Sequence, residues 1–63
     1  MIEVIVGTDT AYADTPEEAV YAALTIGREQ REAKKIWGFN PEIRFIVGND
    51  IHSTNLRDLS RTQ

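Results

Sequence analysis

The apolar residues of this chain form two short runs that predict β-strands. Residues 2–6 (Ile-Glu-Val-Ile-Val) are mostly β-branched, and residues 7–9 (Gly-Thr-Asp) follow them as a turn signal. Residues 43–47 (Ile-Arg-Phe-Ile-Val) have the same character. Because successive strand side chains alternate between faces, Ile5 lies on the face opposite to the other three apolar residues of its strand, Ile2, Val4 and Val6. We therefore predict strands over 2–6 and 43–47.

A long amphipathic helix is predicted between these strands. Thr15 can cap it by accepting from the backbone N–H of Glu18, and Pro16 fits the first helical position. An apolar stripe then advances by three or four residues through Ala19, Ala23, Ile26, Gln30, Ala33 and Trp37. Gly38 follows as a stop signal, so the helix is predicted over 16–37. Because Trp37 continues the stripe, we interpret it as a core residue.

Two segments leave alternatives open. Residues 10–14 alternate in polarity, so they form either a hairpin arm beside the first strand or a long connecting loop. Residues 51–63 are predicted as a tail, in which Asn55 and Asp58 have the spacing of a helix start and could begin a short C-terminal helix.

The order of these elements predicts the fold class. A strand, a helix and a second strand imply a right-handed crossover with parallel strands. We therefore predict a single α/β domain over 1–63, a small β(β)αβ unit with a parallel strand pair and one long helix on one sheet face. One helix leaves the other sheet face uncovered.

The small size of the chain predicts self-association. A chain of 63 residues buries only about 60% of its unfolded surface, and this chain has no cysteine with which to form disulfides. Ile5 and Ile46 lie on the uncovered sheet face, where a second subunit could cover them. A 22-residue helix spans about 33 Å, longer than its strands, so its end could bring Trp37 and Phe39 to a neighbouring subunit. We expect a homo-oligomer, either a dimer or a larger assembly.

A near-repeat marks one candidate ligand site. Ile-Val-Gly-Thr-Asp at 5–9 recurs as Ile-Val-Gly-Asn-Asp at 46–50, each at a predicted strand end. In a parallel pair these ends meet at the sheet edge that commonly holds ligands. The candidate ligand-binding residues are Thr8, Asp9, Asn49, Asp50 and His52. The alternative interpretation, which we favour, is that the same turn chemistry is used twice.

A second candidate site lies on the basic half of the helix. Arg28, Arg31 and Lys35 project from one side of it and could meet phosphates, with Trp37 as a stacking group. The net charge of −3 and the interleaved acidic residues Glu29 and Glu32 argue against nucleic-acid binding. Nucleic-acid binding is the weakest of the alternatives.

Composition limits the remaining function classes. Without cysteine and with a single histidine, one chain offers neither a thiolate zinc site nor a multi-histidine metal site, and we expect no metal and no cofactor. No apolar run reaches membrane-spanning length and no signal peptide is evident, so we expect a cytoplasmic protein. We favour a small non-enzymatic binding or regulatory protein that contacts a protein partner, as phage or mobile-element accessory proteins do. The alternative is a small oligomeric enzyme, or a ligand- or metal-binding protein, with its site around Asp9, Asp50 and His52.

Overall fold

The computed structural model describes residues 1–62 as one four-stranded sheet with two helices. The elements in chain order are β1 (Ile2–Val6), β2 (Asp9–Ala13), α1 (Pro16–Lys34), β3 (Glu42–Val47), β4 (Asp50–Asn55) and α2 (Leu56–Arg61). The strands lie in the order β2-β1-β3-β4, and every neighbouring pair is antiparallel. The two strands predicted from the apolar runs are both present.

The predicted parallel strand pair is wrong. β1 and β3 are neighbours, but they run antiparallel with Val4 opposite Phe45. The cause is β2, since residues 9–13 pair with β1 as a hairpin arm rather than forming a connecting loop. This hairpin reverses the chain once before the helix begins. As a result α1 ends beside the end of β1, and β3 starts there in the opposite direction.

The strand β4 lies in the segment that was predicted as a tail. It has only one large apolar side chain, Ile51. It forms a strand because its backbone pairs with β3 along its whole length. The short C-terminal helix is confirmed as α2. It begins at the predicted cap, because the backbone N–H of Asp58 donates to Asn55 Oδ1 at 2.9 Å.

The near-repeat marks two equivalent hairpins. Gly7 and Gly48 have φ of +60° and +61° and are the first central residues of two-residue turns, as a type II′ turn requires. Each hairpin is followed by a helix, so the chain is a ββα unit used twice. The two units are related by an approximate two-fold axis through the central β1–β3 pair, and only α1 is long.

Helix α1 begins as predicted and ends earlier. The backbone N–H of Glu18 donates to Thr15 Oγ1 at 3.2 Å, which confirms the cap. The helix ends at Lys34, and Lys35 is left-handed with φ of 54°. The helix predicted to Trp37 is thus three residues too long. The core assignment of Trp37 is also wrong, since its side chain is fully exposed.

The core lies between α1 and one face of the sheet. Its buried apolar residues are Val4, Val6, Ala13, Ala19, Ala23, Leu24, Ile43 and Leu56. Leu56 closes it from α2 by packing over Gly27 of α1. Within residues 1–62, neither helix has the length and apolar content needed to cross a membrane.

Candidate functional site

The two hairpin turns lie at opposite ends of the sheet. Asp9 is paired with Val6 at the end where β1 finishes, whereas Asp50 is paired with Val47 at the end where β3 finishes. Because β1 and β3 are antiparallel, these ends point in opposite directions. The structure therefore does not bring Thr8 and Asp9 together with the residues of the second turn.

Each predicted ligand residue has a different local environment. Asp9 Oδ2 accepts a hydrogen bond of 2.7 Å from Gln30 Nε2, which also donates to the carbonyl of Val6 at 2.7 Å. His52 shares a sheet face with Asp50 and pairs with Phe45, and Asn49 occupies the second turn. Residues 1–62 contain no group of three or more His, Asp or Glu placed to hold a metal ion.

The open face of the sheet carries one apolar side chain from each strand. This apolar strip consists of Tyr12, Ile5, Ile46 and Ile51. Ile46 lies directly opposite Ile51, and Ile5 is a diagonal neighbour of both Tyr12 and Ile46. Tyr12 and Ile51 are 64% and 62% exposed, because both helices pack on the other face. Ile5 and Ile46 thus occupy the face on which they were predicted.

Charges of both signs flank the apolar strip. Glu3 lies opposite Ile46, and Arg44 lies opposite Ile5. The Arg44 guanidinium is 3.0 Å from Glu42 Oε1 on the same strand, and both side chains are about half exposed. The face therefore combines an apolar centre with a cation and two carboxylates that solvent still reaches.

Trp37 and Phe39 are separate from the apolar strip. They lie in the connection between α1 and β3, beyond the helix end, and Phe39 is half-buried under Lys34, whose Nζ is 5.5 Å from the ring centroid. Trp37 and Phe39 were predicted as interface residues together with Ile5 and Ile46. The structure does not place the two pairs on one continuous surface.

Three basic residues, Arg31, Lys35 and Arg57, meet at the end of α1, where α2 packs beside it. They line an open groove of about 670 Å³, which we call the α-end groove and which is also lined by Ile36, Trp37, Gly38 and Ser60. Arg31 and Lys35 were predicted as phosphate-binding candidates, whereas Arg28 does not line the groove.

An apolar groove of about 230 Å³ lies at the other end of the helix-bearing face. Val20 of α1 and Phe45, Val47 and His52 of the sheet line it. The cause is the unequal length of the two helices, since the six residues of α2 extend only about 9 Å. Val47 is consequently 46% exposed although it shares a face with buried Ile43.

Sequence reasoning missed Tyr12 and Ile51 of the apolar strip and Arg57 and Ser60 of the α-end groove. Tyr12 and Ile51 belong to strands that were left open or not predicted, although alternation in residues 10–14 was a usable signal for Tyr12. Arg57 and Ser60 reach the α-end groove only through the packing of α2, for which the local sequence gives no signal.

Comparisons with protein-family models, with curated proteins and with solved structures found no match to this chain.

Proposed function

We propose that this protein is a small non-enzymatic binding protein that acts as a homodimer, with the open sheet faces of two chains packed together. The observation that carries this proposal is the apolar strip, in which Ile46 and Ile51 are adjacent and Tyr12 and Ile51 are mostly exposed. Apolar side chains that are contiguous on a small domain mark an interaction site.

The accessible surface of the chain supports a partner on this face. One chain exposes 4519 Å², whereas a compact monomer of 7.1 kDa exposes about 4,100 Å². The excess is expected for a domain whose sheet is covered on one side only. Exposed side chains elsewhere, such as Trp37 and Tyr21, also contribute to it.

The charges on the open face favour a second copy as the occupant. A two-fold contact must be self-complementary, so each charge has to meet its opposite on the partner chain. Glu3 and Arg44 are diagonal neighbours on β1 and β3, on either side of the approximate two-fold axis. In a face-to-face dimer, Arg44 of one chain can meet Glu3 of the other, and the isoleucines pack between them.

The alternative of an enzyme site around Asp9, Asp50 and His52 has less support. It depended on two strand ends meeting at one sheet edge, and the antiparallel sheet separates them. Asp9 is also engaged by Gln30 within the same chain. We therefore assign the two Gly-x-Asp segments to hairpin formation.

A charge-swap experiment tests the proposed dimer. Arg44→Glu places like charges against each other in a homodimer, and so does Glu3→Arg, so we expect each variant to sediment as a monomer. An equimolar mixture should form a heterodimer, because every Arg–Glu contact is then restored. Glu17→Arg makes the same charge change on exposed α1 and should stay dimeric. Single variants that remain dimeric, or a mixture that stays monomeric, would contradict the proposal.

A further inference from the structure

The α-end groove is the most cationic surface of the molecule. Residues 28–37 and 56–62 contain six basic and three acidic side chains, whereas the rest of the chain contains one basic and seven acidic ones. The net charge of −3 is therefore the sum of a basic end and an acidic remainder of the chain. The basic end carries a net charge of +3, which would attract an anionic ligand.

The cations of the groove are not neutralised by the chain. Within residues 1–62 the only ion pair within 4.0 Å joins Arg44 to Glu42, on the sheet and outside the groove. Basic residues at the end of α1 match its dipole, which accounts for Arg31. Arg57 lies in the first turn of α2, where a cation opposes the dipole, so helix stability does not explain its charge.

Trp37 lies in a turn that two hydrogen bonds hold in place. The backbone N–H of Phe39 donates to the carbonyl of Ile36 at 3.1 Å, and Gly38 has φ of +78°, which is the type II turn with Trp37 at its first central position. Arg31 Nε donates to the carbonyl of Phe39 at 3.1 Å and ties the turn to α1. The indole is nevertheless 100% exposed, which is rare for a tryptophan.

The opposite wall of the groove is also fixed in place. The backbone N–H of Arg57 donates to Asn40 Oδ1 at 2.7 Å, and the N–H of Leu56 donates to the carbonyl of Pro41 at 3.1 Å. These bonds hold the start of α2 against the segment that follows the Trp37 turn. The backbone segments that carry Arg57 and Trp37 are thus positioned before any ligand arrives.

We propose that the α-end groove binds single-stranded nucleic acid, with one base stacked on Trp37 and the backbone phosphates on Arg31, Lys35 and Arg57. An indole face and spaced cations fit a chain in which flat bases alternate with phosphates. A duplex hides its base faces and offers only phosphates. This site is independent of the open sheet face and of the proposed dimer.

Trp37 is the only tryptophan of the chain, so its fluorescence reports binding directly. We would titrate the full chain with a 12-nucleotide oligothymidylate at several salt concentrations. Stacking should quench the fluorescence. Three phosphate contacts should give a slope of about −2 for log affinity against log salt concentration.

Two pairs of variants locate the site. Trp37→Ala should weaken binding about ten- to a hundredfold, read by anisotropy of a labelled oligonucleotide, whereas Tyr21→Ala, which removes another exposed aromatic, should not. Arg57→Gln should flatten the salt slope by about 0.7, whereas Arg28→Gln, outside the groove, should leave it near the wild-type value.

Binding of other anionic compounds tests whether the groove prefers single-stranded nucleic acid. The duplex of the same length, inorganic polyphosphate and thymidine monophosphate should each bind at least tenfold more weakly than the single strand. Equal binding of polyphosphate or duplex would show that the groove recognises phosphate alone. Equal binding of the mononucleotide would show that it is a nucleotide site. Either result overturns the proposal, as does the absence of binding at low salt.

Discussion

Gly27 of α1 lies directly beneath Leu56 of α2, so closely that a Cβ on Gly27 would be 2.8 Å from Leu56 Cδ1. Leu56 is fully buried, and its contact with Gly27 holds α2 on α1. The glycine is therefore required where Leu56 of α2 packs on α1, although its position inside α1 costs helix stability.

We expect Gly27→Ala to destabilise the protein. The added methyl group overpacks the contact at a cost of about 1–3 kcal/mol, which outweighs the gain of about 1 kcal/mol in helix propensity. Leu56→Ala should cost about 2–5 kcal/mol because it leaves a cavity. In the Leu56→Ala background the same Gly27→Ala change should be neutral or stabilising. Urea unfolding of the four proteins checks this, and additive losses would contradict it.

Gln30 should be important for stability although it is polar. Its amide donates to the carbonyl of Val6 and to Asp9 Oδ2, and so ties α1 to the first hairpin. We expect Gln30→Ala to cost about 1–2 kcal/mol and Asp9→Ala, which removes the acceptor, about 1 kcal/mol of unfolding free energy. Asp50→Ala is the matched control in the second hairpin and should cost less than about 0.5 kcal/mol. Equal losses at Asp9 and Asp50 would show that the Gln30 contact contributes nothing.

The two turn glycines should differ in their response to alanine. Both have positive φ, so each Gly→Ala change carries backbone strain of about 1–2 kcal/mol. A Cβ at Gly7 would also come within 3.2 Å of Gln30 Oε1, whereas a Cβ at Gly48 meets open space. Thermal unfolding should therefore show a larger drop in Tm for Gly7→Ala than for Gly48→Ala. The reverse order would contradict the close approach of Gln30.

Local signals predicted those parts of the fold that depend on local chemistry. The Thr15 and Asn55 caps, the two apolar strands and the glycine turns each follow from a few neighbouring residues. The direction of β3 could not be predicted separately, because it depends on whether residues 10–14 are a strand. β4 was missed since its sequence has little apolar alternation and its order comes from backbone pairing with β3.

The candidate surfaces were predictable to different degrees. Alternation alone placed Ile5 and Ile46 on the open face. The α-end groove could be predicted only in part, because Arg57 and Ser60 join Arg31 and Lys35 through the Gly27–Leu56 contact. Trp37 continues the spacing of a helical stripe in the sequence, but α1 ends at Lys34 and the turn that follows exposes the indole.

The mass of the protein in solution tests the central claim most directly. Ile46 and Val47 are adjacent on β3, but Ile46 belongs to the apolar strip and Val47 to the helix-bearing face. Sedimentation equilibrium at micromolar concentration should give twice the chain mass of 7.1 kDa for the wild type and for Val47→Lys. Ile46→Lys, folded by circular dichroism, should give the mass of one chain. A monomeric wild type, or an Ile46→Lys variant that remains dimeric, would contradict the proposed dimer.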